Sequence, residues 1–526
     1  MGKYVLKRLL HGAISAIIVV IIVMVLVYSL LERSKIFAGD PNYSHMASNS
    51  RITYEQSRYE AFGYLDYVPY ADWLRELVKN GEIDLETQIA AAPLGRTPER
   101  DSEITAEYVK KFTDYYESKG YAVVRLDADT RKNGQIKDGG QPALYASRDI
   151  PLANRVITYF ASMFDVDNIH YVPEDVDIGK RELTFTLHDP VYGGDKFAPA
   201  IIGNGTEHKY LLYFDSKFPF IHQNFITIRL GESYTVNRGV DVFTTMTESQ
   251  GAYVLSTVTF PTGLTEESAD DLHTAVYVQG SREGLQANAD RFTDDYTNVQ
   301  TVKTGMSRLG YSFVIGIIST IMAYVLGLPI GLLMARFKEG LLDKIGTVYI
   351  IFIIAVPSLA YIFLFKAIGG SVFKLPTLFD MDSGSKLMYI LPIVSLALPS
   401  VANLMKWMRR YMIDQMNSDY VKFARSGGLT ETEIFTKHIW KNALIPIVHG
   451  IPASIIFAMT GAIITERVYV VPGAGNLLTT AINRYDNGVI VGVTLFYAVL
   501  SVVSIILGDV LMAMVDPRIS FTDKAR

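Results

Sequence analysis

The chain has 526 residues, 49% of them apolar, no cysteine, and a net charge of −5. The lack of cysteine excludes disulfides, thiolate metal sites and cysteine nucleophiles, and neither a basic stripe nor a recognition motif speaks for nucleic acid. Charge is placed unevenly: residues 33–307 carry −13 and the remainder +8, so an acidic, soluble-looking segment interrupts a basic, apolar chain.

The chain opens with Lys3, Lys7 and Arg8 ahead of a run, Ala13–Leu31, that contains no Asp, Glu, Lys or Arg. That run is longer than a signal-peptide core and no A-x-A-like site follows it, so it reads as an uncleaved anchor. Five more charge-free runs follow: Leu309–Ala335, Ile345–Phe365, Leu387–Met405, Asn442–Thr465 and Asn487–Gly508. Roughly 20 helical residues cross a hydrocarbon core of about 30 Å, which predicts six spanning helices, the fourth interrupted by Pro392 and Pro399. The flanking cations then set the orientation. Arg336, Lys338 and Lys344, the basic cluster from Lys406 to Lys441, and Arg518, Lys524 and Arg526 all fall on the side of the N-terminus. Both termini are therefore expected in the cytoplasm, and residues 33–307 outside.

The expected division is 1–32 for the N-terminus and first helix, 33–307 for an extracellular α+β domain, 308–517 for a membrane domain with helices two to six, and 518–526 for a cytoplasmic tail. In the outer segment Ser102–Ser118 reads as a helix stopped by Gly120. Glu182–Leu187, Tyr210–Phe214, Phe225–Leu230, Tyr253–Phe260 and Thr274–Gln279 read as strands rich in aromatic and β-branched residues. Tyr54, Tyr59, Phe62, Tyr64, Tyr67, Tyr70 and Trp73 are read as core. Asp127-Ala128-Asp129 starts like a calcium loop but has Lys132 where that loop needs glycine. No metal ligand set, catalytic constellation or cofactor site is expected.

The inside loop of about 406–441 is the informative one, since far fewer residues suffice to reverse a helix. Asp419–Ser426 reads as a short basic helix broken by Gly427-Gly428. Thr430 and Glu433, three apart, form a capping-box pattern that restarts it. Helix, glycine break and capped helix make a protruding knuckle over 419–446, with Ala424, Arg425, Gly428, Leu429, Thr430 and Glu433 as its candidate contact residues. Past the fifth run, Glu466 and Arg467 read as a local ion pair or cap near the outer interface rather than a substrate contact. Pro472, Gly473 and Gly475 fit a plain turn and a gate element equally, and Glu466 joins them as a candidate pathway residue. Asp509 is treated as Glu466 is, and His449 is expected to hydrogen-bond a neighbouring helix.

Ala424 and Gly428, followed by Asn442-Ala443-Leu444 and Pro446, resemble the cytoplasmic loop of permeases of binding-protein-dependent ABC importers, in the peptide branch of that family. Lys422 and Phe423 stand where the wider family has its name-giving glutamate. Lys3–Leu10, Gly39-Asp40-Pro41, Val471–Leu477 and Asp516-Pro517-Arg518-Ile519 are similar to further segments of that branch. His208–Phe214 and Phe218–Phe225 resemble the outer insert of oligopeptide permeases of Gram-positive cocci.

The resemblance implies a bacterial cell-membrane subunit of type I importer fold. It would carry oligopeptides together with a second homologous permease, two cytoplasmic ATPases that bind the ATP, and an extracellular peptide-binding lipoprotein. The chain itself has no G-x-x-x-x-G-K-[ST] segment to cradle ATP, so no enzymatic activity is expected of it. Two alternatives remain at this stage: a dipeptide or nickel-complex permease of the same branch, and a mechanotransmitting or signalling membrane protein with a working ectodomain.

Overall fold

The computed structural model describes residues 2–172, 181–189, 196–214, 219–223, 225–260, 262–268, 270–277, 290–291, 297–301, 303, 305–381 and 383–515. The segment Asp516–Ile519 and the tail lie outside them.

The chain begins with α1 (Gly2–Leu30), then α2 (Pro41–His45) and α3 (Ser48–Ala61). A compact unit follows: β1 (Leu65–Pro69), α4 (Tyr70–Lys79), α5 (Leu85–Ala91), α6 (Glu103–Ser118), β2 (Ala122–Leu126) and β3 (Ala143–Asp149). Its sheet has the order β1-β3-β2, all antiparallel. α6 matches the expected helix, with Ser102 accepting a hydrogen bond from the Thr105 N–H as its cap and Gly120 in the left-handed region at φ +79°. The aromatic run divides between two cores. Tyr59, Phe62, Tyr64 and Tyr67 pack with Ile36, Phe37, Tyr145 and Tyr234, while Tyr70 and Trp73 pack with Phe112 and Tyr116.

After α7 (Leu152–Ala161) come β4 (Phe164–Val166), β5 (Leu183–Thr186), β6 (Ala200–Gly203), β7 (Tyr210–Phe214), β8 (Pro219–Ile221) and β9 (Ile226–Ile228). Then follow α8 (Val242–Thr247), β10 (Ser256–Thr259), β11 (Thr265–Ser268), β12 (Asp270–Tyr277) and β13 (Thr297–Thr301). β5-β6-β7-β8 form one antiparallel sheet, and β4 pairs with β9 as a separate ribbon. β7 has the expected bounds. The expected strand over 253–260 is shorter, since Tyr253–Leu255 lie outside β10.

The helical remainder comprises α9 (Arg308–Arg336), α10 (Leu341–Ala355), α11 (Ser358–Ser371), α12 (Ile390–Met416), α13 (Asp419–Ser426), α14 (Glu431–Glu433), α15 (Trp440–His449), α16 (Ile451–Tyr469), α17 (Ala474–Asn483) and α18 (Asn487–Val515). Among the described residues, α1, α9, α12 with its lead-in from Lys386, and α18 are long and apolar enough to cross a membrane. α10 and α11 make a fifth span only if the bent pair is one. The expected continuous third span is thus corrected: it breaks at Val356-Pro357 with a bend of 115°. Pro357 has no N–H to give and pushes Val356 into an extended conformation, φ −88° and ψ 131°. The fourth is the reverse case, since α12 runs unbroken through Pro399. The fifth run is divided where α15 meets α16 at Gly450-Ile451-Pro452.

Close helix contacts rest on small residues. Gly327 and Gly331, four apart on α9, face α12, where a Cβ on Gly331 would lie 2.8 Å from the Met405 carbonyl oxygen. α1 lies along α18: a Cβ on Gly12 would meet Val502, and Arg8 pairs with Asp509 at 3.3 Å. Asp509 therefore does form a local ion pair. Among the described residues His449 Nδ1 is buried with no hydrogen-bond partner, so the expected bond to a neighbouring helix is not made by that nitrogen.

Candidate functional site

Three polar constructions stand out, one at each end of the helical part and one where the segment before α9 meets it. The first is the knuckle. α13 ends in a glycine cap in which the Gly428 N–H donates to the Arg425 carbonyl at 3.0 Å and the Leu429 N–H to that of Ala424 at 3.3 Å. Gly428 has φ +82°, a conformation that costs an L side chain but not glycine. Reversal is followed at once by the capping box. The Glu433 N–H donates to Thr430 Oγ1 at 3.3 Å, and Glu433 Oε2 accepts from the Thr430 N–H at 3.1 Å. Arg425 bridges the break, its Nε and Nη2 donating to the two Glu431 oxygens at 2.6 and 3.1 Å.

Arg425 holds the Glu431 carboxyl below the ordinary glutamate range, and the Thr430 hydroxyl and N–H do the same for Glu433. Both contributions are therefore complete above that range and fade only as pH falls through the lowered values, so the knuckle keeps them at neutral pH.

The knuckle is anchored from below. Val421, Ile434, Phe435 and Ile439 pack with Met408, Met412 and Ala335, and a π-helical turn over Ile434–Ile439 leads into α15. Directly after the glycine break Leu429–Glu433 remain outside, whereas Ile434 and Phe435 are buried. Phe423 is 81% exposed on the same knuckle, a large apolar side chain held in water. Sequence reading named its position but did not count it among the candidate contact residues. Its presence in an otherwise basic amphipathic helix was the available signal.

The second construction surrounds Glu466, at the end of α16. Its carboxylate is fully buried. Oε1 accepts from Ser312 Oγ of α9 at 2.6 Å, and Oε2 accepts from the Asn476 N–H of α17 at 2.9 Å. Ser312 Oγ in turn accepts from the Ala474 N–H at 2.9 Å. A carboxylate at the N-terminus of α17 also meets the positive end of that helix. Of the two expected roles, local ion pair or cap, the structure has the cap: Glu466 is enclosed by three helices at the start of α17, while Arg467 donates to Asn476 Oδ1 at 3.4 Å.

Pro472-Gly473-Ala474-Gly475 is the wall of this enclosure. A Cβ on Gly473 would stand 2.3 Å from the Glu466 carboxyl, and one on Gly475 would stand 2.7 Å from Ile463 Cγ1. Val470, just before it, sits in the left-handed region at φ 59°, an outlier for a β-branched residue. Overpacking of this kind costs about 1–3 kcal/mol. Gly473→Ala is thus expected to lower the midpoint of heat inactivation of the purified protein, measured as loss of monodisperse material. An unchanged midpoint would mean that the glycines are not needed for the Glu466 contact.

The third is Asp486, which sequence reading missed entirely. It is fully buried between α17 and α18. Oδ2 accepts from Ser233 Oγ at 2.7 Å, the Thr235 N–H at 2.8 Å and the Val236 N–H at 2.9 Å. Oδ1 accepts from the Tyr234 N–H at 3.0 Å and the Val489 N–H at 3.1 Å. A nest of consecutive backbone N–H groups thus clasps a carboxylate some 250 residues away in sequence. Beside it, Leu230, Val242 and Met246 join Val20 and Met24 of α1 and Val489 and Val493 of α18 in one core. The segment before α9 is consequently packed into the helical part, not merely tethered to it.

Comparison with known proteins gives the family. Residues 327–521 match the family described as "Binding-protein-dependent transport system inner membrane component". The oligopeptide transport system permease protein AmiC of Streptococcus pneumoniae is 34% identical over 530 residues, 100% of this chain and 99% of its own. The dipeptide transport system permease protein DppB of Lactococcus lactis is 33% identical over 227 residues, 43% of this chain and 73% of its own. The oligopeptide transport system permease protein AppB of Bacillus subtilis is 31% identical over 226 residues, 41% and 71% of the two chains.

Proposed function

This chain belongs to the binding-protein-dependent inner membrane transport components, as a multi-pass permease subunit of the oligopeptide ABC importers, and we propose how its parts serve that transport. Residues 308–517 with α1 form six membrane spans and half of the translocation pathway, with both termini cytoplasmic. Residues 33–307 form an extracellular α+β domain. A second homologous permease supplies the other half of the pathway. Two cytoplasmic ATPases bind and hydrolyse the ATP, and an extracellular lipoprotein delivers the peptide.

The observation that carries this reading is the knuckle. A rigidly capped reversal, Leu429–Glu433, stands clear of the protein with Phe423 exposed beside it, on an anchor buried between α9, α12 and α15. Displacement of an ATPase groove that grips Phe423 and Leu429 is passed into those helices. At the other end Glu466 couples α9, α16 and α17, so the same displacement reaches the Pro472–Gly475 wall. Alternate facing of the pathway needs only that ATP binding favours one arrangement by differential affinity.

Orientation is tested with single cysteines in this cysteine-free chain, at the exposed positions Thr432 and Asn133. An impermeant thiol reagent applied to intact cells is expected to label Asn133→Cys and not Thr432→Cys. The opposite pattern would invert the topology. Function is tested by peptide uptake and peptide-stimulated ATP hydrolysis in proteoliposomes holding all subunits. Loss of both on omission of this chain is the expected result.

A further inference from the structure

The ribbon of β4 and β9 is amphipathic in an unusual sense. Its register pairs Phe164 with Ile228 and Val166 with Ile226, so four large apolar side chains lie in two cross-strand pairs on one face. All four are between 49% and 79% exposed, and Phe225 just beyond is exposed as well. The other face carries Asp165 and Thr227, and Asp165 pairs at 2.9 Å with Arg229, which follows β9. A soluble domain rarely leaves so contiguous an apolar face uncovered.

The level of the ribbon is fixed by its connection to α18. The chain is clasped at 233–236 by Asp486, then runs down beside the helix as the sequence is read backwards. The Glu232 carbonyl oxygen would lie 1.8 Å from a Cβ on Gly488, and that of Leu230 would lie 2.6 Å from a Cβ on Gly492. Gly492 is five residues inside a charge-free spanning helix, roughly 7 Å along its axis. β9 ends two residues before Leu230, and the Arg229 N–H donates to the Met163 carbonyl, which ties β4 to the same stretch of chain. Tyr159 and Phe160 of α7 pack beside Val20 and Met24 of α1, whose other faces, Ile18, Ile22 and Leu26, are open to the surroundings.

From these placements we propose that the β4–β9 ribbon is a second, non-spanning membrane contact. Its Phe164, Val166, Ile226 and Ile228 face lies in the acyl region just under the headgroups, and Asp165, Thr227 and Arg229 face the headgroup layer and water. Apolar faces of interfacial elements reach about 5–10 Å below that boundary, which agrees with the depth at Gly492. The occupant is lipid hydrocarbon because the chain leading to the ribbon descends past Gly492 of α18, and α7, directly before β4, packs on α1, α18 and α1 both being membrane-spanning helices. The ribbon holds the domain between α1 and α9 flat against the bilayer, and Asp486 fixes its angle to α18.

The test uses nitroxide labels on Val166→Cys, Ile226→Cys and Thr227→Cys in the complete transporter, reconstituted in lipid nanodiscs. At 166 and 226, collisions with dissolved oxygen are expected to exceed those with a water-soluble nickel chelate several-fold, with the order reversed at 227. Dominant chelate collisions at 166 and 226 would overturn the proposal by showing a water-exposed face. Shielding from both agents would overturn it in favour of a protein partner on that face. Should a labelled variant fail to assemble, Ile226→Trp serves instead: quenching by lipids brominated near the top of the chains is expected, and its absence counts against the proposal. Failure of either kind leaves the transport reading intact, because uptake and ATP hydrolysis are measured separately.

Discussion

Replacing Gly428 by valine is expected to leave the protein inserted and assembled while peptide-stimulated ATP hydrolysis falls about 5- to 150-fold. The reason is purely conformational. No atom lies within 4 Å of a Cβ at this position, so the substitution meets no neighbour. It must still hold φ near +82°, where a β-branched residue is strained. Strain of about 1–3 kcal/mol corresponds to a 5- to 150-fold loss of the conformation that presents Leu429–Glu433. Gly428→Asn supplies the control, since asparagine tolerates this region and should retain most of the stimulation. Proteoliposomes containing the full complex give the measurement. Full stimulation in the valine variant would mean that the ATPases do not read the shape of the knuckle.

An even larger local effect is expected from Asp486→Asn. The amide has the same outline as the carboxylate, but one oxygen becomes an NH2 group. Oδ1 and Oδ2 each face at least two donors, so either orientation of the amide sets donor against donor. Breaking a buried charged network costs about 3–5 kcal/mol, or between two and four orders of magnitude in the local opening equilibrium. Hydrogen exchange at the Tyr234, Thr235 and Val236 amides should accelerate by at least about 100-fold. Exchange in the knuckle, at the other end of the helical part, should not change. Peptide uptake is expected to fall with the loss of the clasp, because the outer segment would no longer follow α18. Unaltered protection at 234–236 would show that the apolar core around Val242 and Met246 holds this junction by itself.

What the sequence determined by itself is local. Charge-free runs of spanning length, the cap at Ser102, the glycine reversal at Gly428 and the box of Thr430 and Glu433 depend on residues within a few positions of one another. Composition and backbone conformation are enough to read them, and the start of α18 at Asn487 fell where the sixth run begins. The bend at Pro357 and the continuity through Pro399 already escape that logic, because both prolines look alike to their neighbours in sequence. Whether a helix continues through one depends on what packs around it.

Only the tertiary structure decided the fate of the buried charges. Glu466 looked like an interfacial residue because its neighbours in sequence include Arg467. Its real partners, Ser312 and the Asn476 N–H, come from other helices. Asp486 offered only the signal of a helix cap, accepting from the Val489 N–H three residues on; its other donors lie about 250 positions earlier and most are backbone N–H groups that every residue possesses. A buried carboxylate must find donors somewhere, but the rule does not say where. Likewise Phe164, Val166, Ile226 and Ile228 alternate as any half-buried strand does. Only the pairing of β4 with β9 put their four apolar side chains on one uncovered face, and the descent from Gly488 to Gly492 is the ground for proposing that lipid covers it.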